Sequence, residues 1–246
     1  MTFTEKIRQK SFDIYTVKPI TIAFLGDSVT QGCFELTPRR SGGVDVVYDG
    51  EAVYHNSVSK ILAFLCPNLP VAIINAGISG VTAKLGHERL SVDVLPYHPD
   101  MTVVCYGLND CKRGMGNLPA YINDLSAIFD SLRENGSDVI FMTPNTLGEY
   151  VSEALTDSEF ARIAAEVCTD ENRSTLQSYL EAAKSLCREK NIPVCDCNAN
   201  LKALSAAGID TTALLSNRIN HPARKLHFMF AYELVKTMLT QEVSHE

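Results

Sequence analysis

Five short apolar runs occur along the chain, at residues 20–25, 71–75, 101–106, 139–143 and 192–196, and stretches with helical period lie between them. Strands that alternate with helices in this way predict a parallel sheet with helices on both faces, because each helix serves as the crossover to the next strand. The clearest helix is predicted over 119–135, where Ile122, Leu125, Phe129 and Leu132 form one stripe; Pro119 suits a first turn and Gly136 a C-terminal stop. A second is predicted over 223–239, following Pro222. In such a sheet with right-handed crossovers, ligands bind beyond the carboxyl ends of the strands.

The 246 residues suit one α/β domain spanning 1–246, with insertions near 33–50 and 144–170 that exceed the usual connection length. The first insertion is rich in Gly, Pro and Arg, and the second contains a short helix. A hydrophobic fraction of 46% with 21% charged residues predicts a folded core and excludes a disordered chain. A net charge of −7, with Arg39-Arg40 as the nearest thing to a basic patch, argues against nucleic acid or an anionic membrane as partner. The opening MTFTEKIRQKSF intersperses charges and reads as neither a secretory signal nor a membrane span, so a cytoplasmic location is expected. The cysteines at 33, 66, 105, 111, 168, 187, 195 and 197 include no CxxC pair, and reduced, mostly buried thiols are expected rather than a metal site.

Four polar or glycine-containing motifs follow predicted strands: Gly26-Asp27-Ser28, Asn75-Ala76-Gly77-Ile78-Ser79-Gly80, Gly107-Leu108-Asn109-Asp110 and Asn220-His221-Pro222. They are far apart in sequence, yet the parallel sheet carries all four to one edge. A serine hydroxyl becomes nucleophilic when a neighbouring base takes its proton, and the oxyanion that develops needs fixed donors. Ser28 suits the nucleophile and His221 the base. The N–H groups of Ser28 and Gly80 and the amide of Asn109 suit the donors.

These motifs, in this order, resemble the blocks of the GDSL, or SGNH, esterase and lipase superfamily, from about residue 20 to residue 222. The resemblance implies a flavodoxin-like three-layer α/β/α sandwich with a five-stranded parallel sheet in the order 2-1-3-4-5. It further implies a serine esterase that acts through an acyl-Ser28 intermediate without cofactor or metal. The side chain missing from Gly80 would then let its N–H reach the oxyanion. The family's usual aspartate three residues before the histidine is here Arg218, which cannot fix an imidazole tautomer. Three replacements are open: Asp196, a backbone carbonyl, or a Ser-His dyad; a carbonyl or dyad is favoured because Asp196 fits a strand-end cap equally well. Arg218 is expected to point away from His221 or to meet an anion.

The blander readings weigh against each residue. Ser79 is the rival serine of an approximate Gly-x-Ser-x-Gly elbow, but Val81 stands where the second glycine belongs. Asp27 and Asp110 fit structural support for backbone donors better than direct chemistry. Among the other histidines, His98 belongs to the opposite sheet edge, His55 and His87 to helices, His227 to a helix core face and His245 to the tail. Arg39, Arg40, Tyr48 and Tyr54 could wall the pocket with aromatic surface for sugar rings, or lie in a solvated loop. The expected substrate is a small acyl ester, an O-acetyl group on a carbohydrate or similar molecule. A lysophospholipase or thioesterase would use the same site. From other classes, Ser28 to Gly32 could cradle a phosphate or nucleotide in a flavodoxin-like module, or the chain could be an inactive interaction domain.

Overall fold

A computed structural model describes residues 2–240, which leaves His245 outside the described residues. After helix α1 (Phe3–Phe12), strand β1 (Ile20–Gly26) enters the centre of the molecule and runs directly into the short helix α2 (Ser28–Gln31). Strands β4 (Val71–Gly77), β5 (Met101–Cys105), β6 (Asp138–Met142) and β7 (Val194–Cys195) complete a parallel sheet. Its order is β4-β1-β5-β6-β7, the predicted 2-1-3-4-5 when only these five strands are counted. Strands β5 and β6 are buried at every residue, as sheet strands covered by helices on both faces must be.

One group of helices comprises α1, α3 (Tyr54–Leu65) and α9 (Arg224–Thr240); the other comprises α4 (Ala83–Asp93), α5 (Leu118–Glu134) and α7 (Asp170–Glu189). The predicted stripe on α5 is internal, with Leu125, Phe129 and Leu132 buried and Ile122 packed against the core. Among the described residues no helix is long and apolar enough to cross a membrane.

Three differences from the sequence reading have local causes. The last strand covers two residues rather than 192–196: Pro193 has no N–H for a ladder, and Asp196 turns to cap α8 (Cys197–Ala206). The first insertion is a β-hairpin rather than an irregular loop, with β2 (Cys33–Pro38) antiparallel to β3 (Val44–Tyr48) around a turn containing Gly42 and Gly43. Alternation in Val44-Asp45-Val46 outweighs the Gly and Arg content of the turn. Tyr54, proposed for the pocket wall, is instead fully buried with its hydroxyl 2.8 Å from Thr30 Oγ1, whereas Tyr48 is 56% exposed. The second insertion carries α6 (Ser158–Val167), which Asp157 caps by accepting from Glu159 N at 2.8 Å. Ala164 of this helix, Cys168 and Ile219 form a small separate core, tying the insertion to the segment before His221.

Candidate active site

At the carboxyl edge of the sheet, β1 stops at Gly26 because Asp27 leaves the strand conformation and caps α2, its Oδ1 accepting from Val29 N at 3.0 Å. The tight strand-to-helix junction needs a close neighbour without a side chain. A Cβ on Gly77, which pairs with Gly26, would stand 2.3 Å from Gln31 N. Ser28 therefore begins α2 with its side chain at the strand end, only 6% exposed.

His221 arrives from the far end of the chain. Its Nε2 lies 3.2 Å from Ser28 Oγ and its Nδ1 lies 3.1 Å from the Phe34 carbonyl oxygen in β2. A carbonyl can only accept, so Nδ1 carries the proton and Nε2 presents its lone pair to the Ser28 hydroxyl. Burial pushes the His221 pKa down to about 4, against the Phe34 hydrogen bond and with help from the Lys112 charge. The ring is neutral at pH 7, the form that can accept a proton.

The loop that delivers His221 is organised by Asn217. Its Oδ1 accepts from the N–H groups of Ile219, Asn220 and His221 at 3.0, 2.9 and 2.9 Å, while its Nδ2 donates to Asn220 Oδ1 at 2.9 Å. Asn145 donates to the Asn220 carbonyl at 2.8 Å, and the Ser216 N–H donates to the His221 carbonyl at 2.8 Å. The sequence reading missed Asn217, although an Asn that precedes several unpaired N–H groups is a recognisable Asx pattern.

The Ser28 and Gly80 N–H groups donate to no acceptor among the described residues. Gly80 has φ +78°, and a Cβ there would meet no protein atom within 4 Å, so its backbone conformation rather than crowding calls for glycine. Asn109 reaches the same edge, but its Nδ2 donates to Val81 O at 3.2 Å and to Asp27 Oδ2 at 3.3 Å, while its Oδ1 accepts from Lys112 at 3.0 Å. Burial raises Asp27 to about 7, opposed by its bond from Val29 N and reinforced by Asp110. Asp110 is raised by burial to about 6; it accepts from Ala83 N at 2.9 Å and Gly107 N at 3.1 Å, joining the Asn109 turn to α4.

The remaining candidates lie elsewhere or face away. Asp196 accepts from Thr143 Oγ1 at 2.9 Å, Ala199 N at 3.0 Å and Lys184 Nζ at 2.9 Å, so it caps α8 and does not reach His221. Arg218 adopts φ +58° and donates to the Ala213 carbonyl, with Asp210 and Tyr150 in its field. Ser79 is exposed, and its N–H donates to Gln31 Oε1 at 2.6 Å. His227 is fully buried against Tyr54, whose N–H it accepts at 3.2 Å, and His55 is buried in α3. All eight cysteines are free, with the Cys195 and Cys197 sulfurs 3.7 Å apart.

A family model described as the GDSL-like Lipase/Acylhydrolase family matches residues 24–227. An acetylxylan esterase from Geobacillus stearothermophilus is 25% identical over 179 residues, 67% of this chain and 80% of that protein. A solved structure of the acetylxylan esterase from Geobacillus stearothermophilus covers 92% of this chain and 97% of its own at 22% identity, with a TM-score of 0.66. A lipase/acylhydrolase from Enterococcus faecalis covers 92% of this chain and 100% of its own at 20% identity and the same TM-score of 0.66. At these identities the structural likenesses concern the fold. The Geobacillus enzyme has also been solved as serine, aspartate and histidine catalytic mutants, the last two three positions apart.

Proposed function

The chain belongs to the GDSL-like lipase/acylhydrolase family and is a carboxylic ester hydrolase; from this premise we propose that it cleaves an O-acetyl ester on a carbohydrate or similar small molecule through an acyl-Ser28 intermediate. The observation that carries the mechanism is the chain of contacts from Ser28 Oγ through His221 to the Phe34 carbonyl, which fixes the imidazole as an Nε2 acceptor. In the first step Ser28 Oγ bonds to the ester carbonyl carbon while its proton passes to His221 Nε2. The carbonyl electrons move to an oxyanion, which the Ser28 and Gly80 N–H groups would meet. The Asn109 amide joins them by exchanging its long contact with Asp27 for the oxyanion. Collapse breaks the ester C–O bond, and the leaving alcohol takes the proton from His221. Water then gives a proton to His221 and attacks the acyl-serine, releasing the acid and restoring the hydroxyl.

Two observations support a small acetyl ester on a sugar: the relative's name, acetylxylan esterase, and the exposed Tyr48 at the rim of the site. Tyr48 pairs with Cys33, whose thiol neighbours Ser79 beside Gly80, so its ring can offer a flat apolar face to a sugar. The test is hydrolysis of p-nitrophenyl esters from acetyl to longer acyl chains and of an acetylated xylo-oligosaccharide, with fluorophosphonate labelling of the enzyme. Wild type should prefer the acetyl substrates and take up the label; Ser28→Ala should lose both activity and label. Labelling that survives in Ser28→Ala, or a preference for long acyl chains, would overturn the respective part of the reading.

A further inference from the structure

The group that orients His221 is a main-chain oxygen at an irregular point of a two-stranded hairpin. Strands β2 and β3 pair regularly from Leu36 to Pro38, but the register shifts between Cys33 and Leu36, so Phe34 and Glu35 lie outside the regular ladder. Such a bulge re-aims the backbone and leaves it without strand pairing to fix it. Burial of the Phe34 ring against His227, with centroids 4.9 Å apart, anchors the side chain but forms no hydrogen bond to the backbone of the bulge. Something other than the ladder must hold the Phe34 carbonyl in place.

Arg224 touches every part of this irregular segment. Its Nη1 donates to Glu35 Oε1, its Nη2 to Glu35 Oε2 at 3.1 Å and its Nε to Asp49 Oδ2 at 2.7 Å, while its guanidinium carbon lies 4.4 Å from the centre of the Phe34 ring. One planar fork therefore grips the residue after Phe34, covers the Phe34 ring and ties β2 to Asp49, which follows β3 at the same open end of the hairpin. Arg224 stands three residues after His221, across Pro222, at the first position of α9. The imidazole and the clamp thus leave the same turn and land on the same hairpin.

We infer that Arg224, paired with Glu35 and Asp49, is a positioning residue that holds the Phe34 carbonyl against His221 Nδ1 in place of the aspartate that Arg218 displaces. The inference rests on the assignment of Ser28 and His221 made above. The bonds of Arg224 go to Glu35 and Asp49 rather than to Ser28 or the His221 ring, so its part is to hold the hairpin. The hairpin contains its own control: Arg39, one of the residues considered for a pocket wall, instead lies half-exposed beside the turn, paired with Asp45 at 2.6 Å and away from Phe34.

The test compares the full chain with Arg224→Met, Arg224→Lys, Glu35→Gln and Arg39→Met, using p-nitrophenyl acetate kinetics and the hydrogen-bonded Nδ1–H proton resonance of His221. Arg224→Met should lower kcat by roughly 10- to 100-fold, the scale of an ångström-level misplacement, with KM nearly unchanged. Its Nδ1–H resonance should broaden or disappear. Arg224→Lys should recover part of the loss, Glu35→Gln should reproduce part of it, and Arg39→Met should match wild type. A folded Arg224→Met with wild-type kcat and resonance would overturn the inference, as would an equal loss in Arg39→Met. If Arg224→Met does not fold, Glu35→Gln decides: a wild-type kcat and resonance there also overturn it. Ser28→Ala and His221→Ala run alongside. Activity in either defeats the underlying assignment, whereas both inactive beside a fully active Arg224→Met defeats the clamp alone.

Discussion

Ser28 is placed by its chain neighbours, His221 by residues up to 187 positions away. The serine end consists of consecutive residues: β1 stops, Asp27 caps, and α2 starts, with Val29 only two residues from the carboxylate that holds it. The histidine end is assembled from Asn145, from Asn217 and from the bulged Phe34-Glu35 segment, which Arg224 reaches across 189 positions of sequence. Local backbone preference can place a nucleophile at a strand end. The orientation of the proposed base, His221, depends on tertiary contacts, so the two ends should fail differently.

The largest expected difference is between chemistry and structure at the serine end. Ser28→Ala should lower kcat by on the order of 10⁴ or more, while thermal unfolding shifts by less than about 1 kcal/mol, because the rest of the strand–helix junction is intact. A large stability loss would show that the hydroxyl also holds the junction. At the histidine end the two quantities should move together. Asn217→Ala strands three N–H groups and should cost about 1–3 kcal/mol of stability, with a parallel loss of kcat. A variant with normal stability and normal kcat would erase the contrast.

Acid offers a smaller test. Burial pushes His55, His221 and His227 down to about 4, 4 and 3. The unfolded chain therefore takes up protons first. The stability that depends on these rings is complete above the ordinary imidazole value of about 6.5 and is lost as pH falls below it. Asp27 and Asp110, raised to about 7 and 6, act in the opposite sense, and their contribution is lost as pH rises from about 4 towards those values. Urea unfolding of His55→Leu between pH 7 and 4.5 should show a shallower acid loss than wild type; equal slopes would mean that His55 is not neutral in the fold. The smallest effect belongs to Arg39→Met, where loss of a half-exposed, solvent-screened pair should leave the urea unfolding midpoint close to that of wild type.

The same division governs what could be read from the residues. Strand positions and the junction before Ser28 were legible, since apolar runs and capping residues act over a few positions, whereas the sheet order followed from the family resemblance of the motifs. The motifs at Gly80, Asn109 and His221 could be placed on one edge because parallel topology fixes which strand ends meet. What faces Nδ1 could not be named, because a carbonyl is common to every residue and only the folded path of the chain selects Phe34. Arg218 marked the absence of an aspartate without indicating its replacement. Tyr54 was misplaced for a related reason: it sits next to the exposed hairpin in sequence, but the first turn of α3 directs it into the core.

The bulged hairpin also has a consequence in time. During synthesis, Phe34 and Glu35 leave the ribosome long before the residues that hold them, and Asp49 alone precedes Arg224 by 175 positions. At about 5–20 residues per second, that interval lasts roughly 10–35 seconds. Through it a growing chain can already form the serine junction while the hairpin waits for both its clamp and the imidazole. Hydrolytic competence should therefore arrive late and abruptly, when His221 and Arg224 emerge together, and nascent chains stalled before residue 221 should be catalytically silent.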